Sequence, residues 1–283
     1  MKKEKSCLVL MRSFYPSMHE SERKIADFIM NQPEIAVHMT VAHVSKEVGV
    51  ADSSVVRFCQ RLGFNGFTQL KINLAKNLKQ PENLILENIH RDDDYLTIVN
   101  KVFASSIQAL EDSLKMLDPS EFNKAVDLMI RAKRIEFYGV GTSAPIAMDA
   151  YYRFMRIGLN TYVATDPHIS KVSANMLDSE CVAVGISHTG RTKDTVRAIE
   201  IAKSKGASII CITSFLDSPI AQLADSKLIT STSEVRFMKE AVSARIAHIA
   251  LLDSLYTCVA VAKYDTAIEN LEAMTEILNE MRL

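Results

Sequence analysis

No apolar run in the 283-residue chain approaches the ~20 residues a membrane-spanning helix needs. The basic start, Met1 to Lys5, leads into an apolar stretch, Ser6 to Met11, too short for the core of a secretion signal. A cytoplasmic protein is expected. Cysteine is scarce as well. Cys7, Cys59, Cys181, Cys211 and Cys258 are odd in number, lack metal-type spacing and mostly sit inside apolar segments. They exclude a disulfide framework and a cysteine metal site, and fit buried thiols in a reducing compartment. What remains, 48% hydrophobic and 24% charged residues, is enough to build the cores of two domains.

The net charge of −1 is divided unevenly. Residues 1–79 carry 12 Lys and Arg against 7 Asp and Glu, whereas the remainder carries 21 against 27. A small basic module fused to a larger acidic one suits a polyanion reader attached to a sensor or an enzyme.

Within the basic module, Ser17 to Met30 reads as a helix with the apolar stripe Met18, Ile25, Phe28 and Ile29, closed by Pro33. Thr40 caps a short helix carrying Val41, Val44 and Val48, and Gly49 supplies a tight turn. Asp52-Ser53-Ser54 then caps a third helix, Ser53 to Leu62, with Val55, Phe58, Cys59 and Leu62 on its core stripe. Ser54, Arg57 and Arg61 share the opposite face, flanked by Ser53 and Gln60. Two helices around a glycine turn, the second presenting hydroxyls and arginines, match a helix-turn-helix. Its DNA contacts are expected from Arg57 and Arg61 to bases or phosphates, from Ser53 and Ser54 to phosphates, and from Lys71 and Lys76 on the following helix.

Lys79 to Asp94 is polar, holds Pro81 and ends in an acidic run, so it reads as a linker. Residues 1–79, 80–94 and 95–283 are therefore expected to be the DNA-binding domain, the linker and a second domain. In the last, helical patterns alternate with five short apolar runs: Ile135–Tyr138, Thr161–Ala164, Val182–Ile186, Ile209–Ile212 and Leu228–Ile229. That alternation predicts a parallel sheet covered on both faces, with ligands at the carboxyl ends of its strands.

Two of those ends stand out. After the third run come Ser187-His188-Thr189-Gly190-Arg191-Thr192 and then a helix, placing hydroxyls where free backbone N–H groups and the helix dipole meet an anion. After the first run come Gly139-Val140-Gly141-Thr142-Ser143-Ala144, whose glycines let the backbone approach a ligand while Thr142 and Ser143 open the next helix. GVGTSA alone is also a loose dinucleotide fingerprint, with Asp166 placed to hold a ribose. Paired with the second corner, it fits two loops clasping one phosphosugar better.

Taken together, SERKIADFIMNQP, the run SSVVRFCQRLGFNGFTQLK, GVGTSA and SHTGRTKDT resemble the RpiR family of bacterial transcriptional regulators along nearly the whole chain. The family's GFxxFxxLK beat appears as Gly63 to Lys71. The resemblance implies an all-α N-terminal helix-turn-helix bundle followed by an α/β SIS (sugar isomerase) domain, a five-stranded parallel sheet flanked by helices. By position it implies phosphate-binding hydroxyls at Ser143, Ser187, Thr189 and Thr192, beside Gly141 and Thr142. His188 sits where SIS proteins vary. His168 follows the second strand at the same sheet end, within reach of a sugar hydroxyl. Glu240 opens the region that closes over the ligand in SIS proteins, often from a neighbouring subunit.

SIS domains occur in isomerases and in sensors, so the fold alone does not decide. An aldose–ketose isomerase needs a base beside C1 and C2 and a ring-opening acid, and no motif here places Glu240, His188 or His168 in those roles. A basic DNA head is necessary to a regulator. The expectation is a non-enzymatic, metal-free and cofactor-free repressor of sugar or amino-sugar catabolism genes. It would read palindromic double-stranded operator DNA as a homodimer or dimer of dimers and respond to a phosphorylated sugar. An isomerase with an accessory DNA head and a dinucleotide-sensing repressor are the alternatives.

Overall fold

A computed structural model describes residues 6–78, 89–231 and 242–279. Glu240 and most of the expected linker lie outside the described residues. The chain divides into two compact units, the first reaching Met116 and the second holding Leu117–Thr230 and the last two helices.

Helices α1 (Cys7–Phe14), α2 (Glu20–Asn31), α3 (Pro33–Ala36), α4 (Val41–Val48), α5 (Asp52–Arg61), α6 (Phe67–Leu78) and α7 (Tyr95–Met116) build the first unit. Apolar residues of α1 to α6 meet in one core that includes Met11, Ile25, Ile29, Val55, Phe58, Leu70 and Leu74. The apolar stretch weighed as a leader is a core helix. Its Cys7, Val9 and Met11 are buried, and the Cys7 N–H donates to Asn73 Oδ1 at 2.7 Å. At the predicted turn, Thr40 Oγ1 accepts from the His43 N–H at 3.3 Å, and Gly49 adopts φ +69°, the left-handed conformation that ends α4. Two helix starts differ from expectation. α2 begins at Glu20, where the Glu22 carboxylate accepts the His19 N–H at 2.9 Å. α5 begins at Asp52 after Ala51, because the Asp52 carboxylate accepts from the Ser45 hydroxyl across the turn. Helix α7, read from the sequence as the start of the second domain, groups with the first unit. Its buried Asp112 lies 3.3 Å from Arg12 of α1.

The second unit is a three-layer sandwich. Strands β1 (Arg134–Tyr138), β2 (Thr161–Ala164), β3 (Cys181–Ile186), β4 (Ser208–Thr213) and β5 (Ser226–Ile229) pair in parallel in the order β2-β1-β3-β4-β5. All five fall on the predicted apolar runs. Alternate side chains face opposite layers. Phe137, Val184 and Ile212 pack beneath α8 (Pro119–Arg131), α9 (Ala144–Arg156) and α13 (Val242–Ala262), with Ala267 of α14 (Tyr264–Asn279) beside them. Tyr138, Ala183 and Cys211 pack beneath α10 (Pro167–Ala174), α11 (Lys193–Ser204) and α12 (Pro219–Leu223). Ser243–Ala262 of α13 is long and apolar enough to cross a membrane by length and composition alone. The sequence hides this because Arg245 and Asp253 interrupt the run. In the fold, its Leu251, Leu252, Leu255 and Val259 belong to the sheet core.

Candidate functional site

In the strand order β2-β1-β3-β4-β5, the chain leaves β1 toward one edge to form β2, then crosses back to form β3 on the other side. The loops after β1 and β3 therefore diverge around a crevice at the carboxyl ends of neighbouring strands. This is the switch point at which doubly wound sheets hold their ligands. Both hydroxyl-rich corners of the sequence are these two loops.

In the first loop, Gly139 is obligatory for packing: a Cβ there would stand 2.7 Å from the Ser143 carbonyl oxygen. Gly141 takes φ +59°. Ser143 is buried and directly precedes α9, while Thr142 is exposed. In the second loop, Ser187 is buried with its Oγ 3.2 Å from Thr192 Oγ1. Thr192 stands at the N-cap of α11 and is exposed. Thr189 is exposed, and its Oγ1 accepts the Arg191 N–H at 3.3 Å. Gly190 makes this loop possible. It has φ +62°, a Cβ there would collide with the buried Ser218 side chain, and its carbonyl accepts the Ile220 N–H at 3.1 Å. Neither α9 nor α11 has a side-chain cap. At α9 the Ala144 N–H already donates to the Gly141 carbonyl and Pro145 has no N–H, so α11 is the better supplied with free donors, and both starts present a positive dipole end.

The half-buried His188 is held from several sides. Its Nδ1 lies 3.0 Å from Ser214 Oγ, and Ser214 Oγ lies 3.0 Å from Thr230 Oγ1. Its carbonyl accepts from the Ser214 N–H and from Thr213 Oγ1, each at 3.0 Å. The rings of Phe215 and His248 lie 5.3 and 6.4 Å from the His188 ring. His168 is exposed in the first turn of α10. Asp166, the residue placed to hold a ribose, caps α10: its Oδ1 accepts the His168 and Ile169 N–H groups, each at 2.9 Å. Those hydrogen bonds, that from Ile169 foremost, also hold its carboxyl below the usual carboxylate range. Among the described residues no cluster of His, Cys, Asp and Glu could hold a metal ion.

In the first unit, α5 follows the glycine turn and exposes Ser53, Arg57 and Gln60, with Ser54 half-buried. Two of the side chains expected to contact DNA have partners within this unit. Arg61 turns inward: Nη1 lies 2.5 Å from Glu22, Nη2 donates to the Ser17 carbonyl and hydroxyl at 3.1 and 2.8 Å, and its guanidinium covers the Phe14 ring. Lys71 bends back over the Phe67 ring and donates to the Met39 carbonyl at 2.8 Å. Both side chains join elements within this unit. Arg57 and the hydroxyls of the α5 start remain on the exposed face.

The helix-turn-helix domain model of the rpiR family matches residues 5–81, and the SIS domain model matches residues 128–258. An HTH-type transcriptional regulator of Caldanaerobacter subterraneus is 33% identical over 98% of this chain and 98% of its own. The chain belongs to the rpiR family of helix-turn-helix transcriptional regulators. Within the rpiR family it is also 30% identical to HexR of Pseudomonas aeruginosa, over 92% of this chain and 90% of HexR. The Vibrio vulnificus NanR protein, solved in complex with ManNAc-6P, shares the fold with a TM-score of 0.62 at 21% identity, covering 97% and 98% of the two chains.

Several residues around the rpiR-family chain's second loop escaped the sequence reading. Ser214 follows β4, Ser218 precedes α12, Thr230 follows β5 and His248 lies on α13, between 26 and 60 positions beyond His188. None belongs to a local motif, and only the parallel sheet brings them together.

Proposed function

We propose that this regulator represses sugar or amino-sugar catabolism genes and that its SIS domain binds a phosphorylated sugar as effector. The phosphate would sit on Ser187, Thr189 and Thr192 at the start of α11, with Ser143 and the glycines of the first loop closing over it. The observation that supports this reading is the pairing of two hydroxyl-rich loops at one topological switch point, each ahead of a helix without a side-chain cap. The ManNAc-6P complex of NanR agrees with this class of ligand.

DNA recognition would use α5, with Arg57 reaching base edges or phosphates and Ser53 and Ser54 binding phosphates near the helix start. A palindromic operator would be read by a dimer, or a dimer of dimers, with half-sites a helical turn apart. Exposed Ile246, Ile249 and Val261 on the outer side of α13 offer apolar surface for such contacts. The effector shifts the protein away from its DNA-binding state by binding the other state more tightly.

The domain acts as a sensor rather than an isomerase in this reading. The two loops, residues 139–144 and 187–192, contain no carboxylate that could serve as a base beside the reacting carbons. Thermal-shift assays with a panel of phosphosugars and with NADH test the ligand class, since stabilisation by NADH alone would favour a dinucleotide sensor. Incubation with the stabilising phosphosugar in D₂O tests the sensor assignment. No enzyme-dependent deuterium should appear at C2 by NMR, and saturable exchange would make the protein an isomerase.

A further inference from the structure

His248 is the one imidazole among the described residues that is fully enclosed by protein. It is 1% exposed, and its Nε2 has no hydrogen-bond partner. A buried polar atom without a partner destabilises the fold that holds it, so its presence calls for a physical reason. The location supplies one. His248 lies on α13, with its ring 6.4 Å from that of His188 in the second ligand loop. His188 is in turn linked through Ser214 to Thr230, residues that follow β3, β4 and β5. The orphaned nitrogen is therefore at the carboxyl ends of the strands, beside the loop assigned to the phosphate.

We propose that His248 is a specificity-determining residue, its Nε2 reserved for a hydroxyl of the sugar portion of the effector. This inference rests on the phosphosugar reading above and assigns the part of the ligand that the phosphate clamp leaves unrecognised. The chemistry favours a hydroxyl over an anion. Burial, and then the neighbouring His188, push the His248 pKa down to about 3, so the ring is neutral near pH 7. A neutral imidazole nitrogen either donates or accepts according to its tautomer, and a sugar hydroxyl matches both choices. The phosphate, by contrast, is served by N–H groups and hydroxyls at the start of α11. A site built to hydrogen-bond a hydroxyl discriminates strongly against a ligand lacking it, because the protein group is then left buried and unpaired.

The test uses the full chain, titrated calorimetrically with glucose 6-phosphate, ribose 5-phosphate, N-acetylmannosamine 6-phosphate and inorganic phosphate. His248→Phe should lower affinity for the phosphosugar the wild type prefers by about tenfold to a hundredfold, the loss expected for one hydrogen bond in a closed site. Affinity for inorganic phosphate should stay within about twofold, and His248→Gln, which keeps a donor and an acceptor, should recover most of the loss. In the wild type, the His248 side-chain nitrogen resonance should move with that phosphosugar and stay still with inorganic phosphate. This readout serves even if His248→Phe does not fold. Unchanged phosphosugar affinity in His248→Phe, parallel loss of phosphate and phosphosugar binding, or a His248 resonance unmoved in a saturated wild type would each overturn the inference alone. A wild type that binds no phosphosugar overturns the effector reading and this inference with it.

Discussion

The Arg61 guanidinium lies 2.5 Å from the Glu22 carboxylate, joining the end of α5 to the first turn of α2. Glu22 also accepts the His19 N–H, so a single carboxylate starts one helix and holds another. Arg61 and Arg57 lie on the same helix, yet only Arg57 is exposed. They should separate in experiment. Arg57→Ala is expected to cost about 1–3 kcal/mol of operator binding while leaving the melting temperature in place. Arg61→Ala should instead destabilise the first unit by about 1–3 kcal/mol, through loss of charge-assisted hydrogen bonds to Glu22 and Ser17. Gel shifts at fixed salt and urea melts of both variants distinguish these outcomes. Equal DNA loss with equal stability would return Arg61 to the recognition surface.

This pair also shows where the sequence stops being readable. Spacing along α5 correctly separates the core stripe, Val55, Phe58 and Cys59, from the opposite side. It says nothing of Glu22, 39 positions earlier, or of the Met39 carbonyl that holds Lys71. The five strands were legible because each is an apolar run bounded by turn residues, and a buried parallel sheet demands such runs. The two hydroxyl-rich loops after β1 and β3 were legible as local motifs. His248 was not, because on α13 it is one more residue of an apolar helix until the fold sets it beside His188. The meeting of Asp112 on α7 with Arg12, 100 positions away, was hidden for the same reason.

The ligand site makes a second claim. Ser187 and Thr189 lie beside the start of α11, where an anion gains hydroxyl and backbone hydrogen bonds together. The double change Ser187→Ala with Thr189→Ala should abolish the thermal shift produced by the effector and leave basal operator binding intact. Normal effector affinity by calorimetry in that variant would move the phosphate elsewhere.

His248 also makes a prediction about acid stability. Its folded-state pKa is lowered from 6.5 to about 3, so below pH 6.5 the unfolded chain takes up a proton that the folded chain refuses. Stability should therefore fall as pH drops from 6.5 toward 3, by an amount on the order of 2 kcal/mol between pH 7 and 5. Replacing the ring by Phe removes this linkage. The urea midpoint of wild type should decline more steeply over that range than that of His248→Phe. Parallel pH profiles would show that His248 takes up its proton as readily in the folded state as in the unfolded one.

Two glycines with nearly the same backbone conformation should respond differently to one added carbon. Gly141 has φ +59° and open space where a Cβ would go, so Gly141→Ala should cost about 1–2 kcal/mol, the penalty of a left-handed conformation for an L-residue. Gly190 has φ +62°, but its Cβ would run into the Ser218 side chain and stand 2.9 Å from Thr213 Oγ1. Ser218 is fully buried, and its Cβ as well as its Oγ stands in the way, so a change of rotamer alone does not clear the clash. The loop itself must then shift, carrying Thr189 and Thr192 away from the start of α11. Gly190→Ala should accordingly cost more stability than Gly141→Ala and also lose most of the effector's thermal shift. Differential scanning calorimetry with and without effector measures both quantities. An intact effector response in Gly190→Ala would mean that the second loop does not position the phosphate.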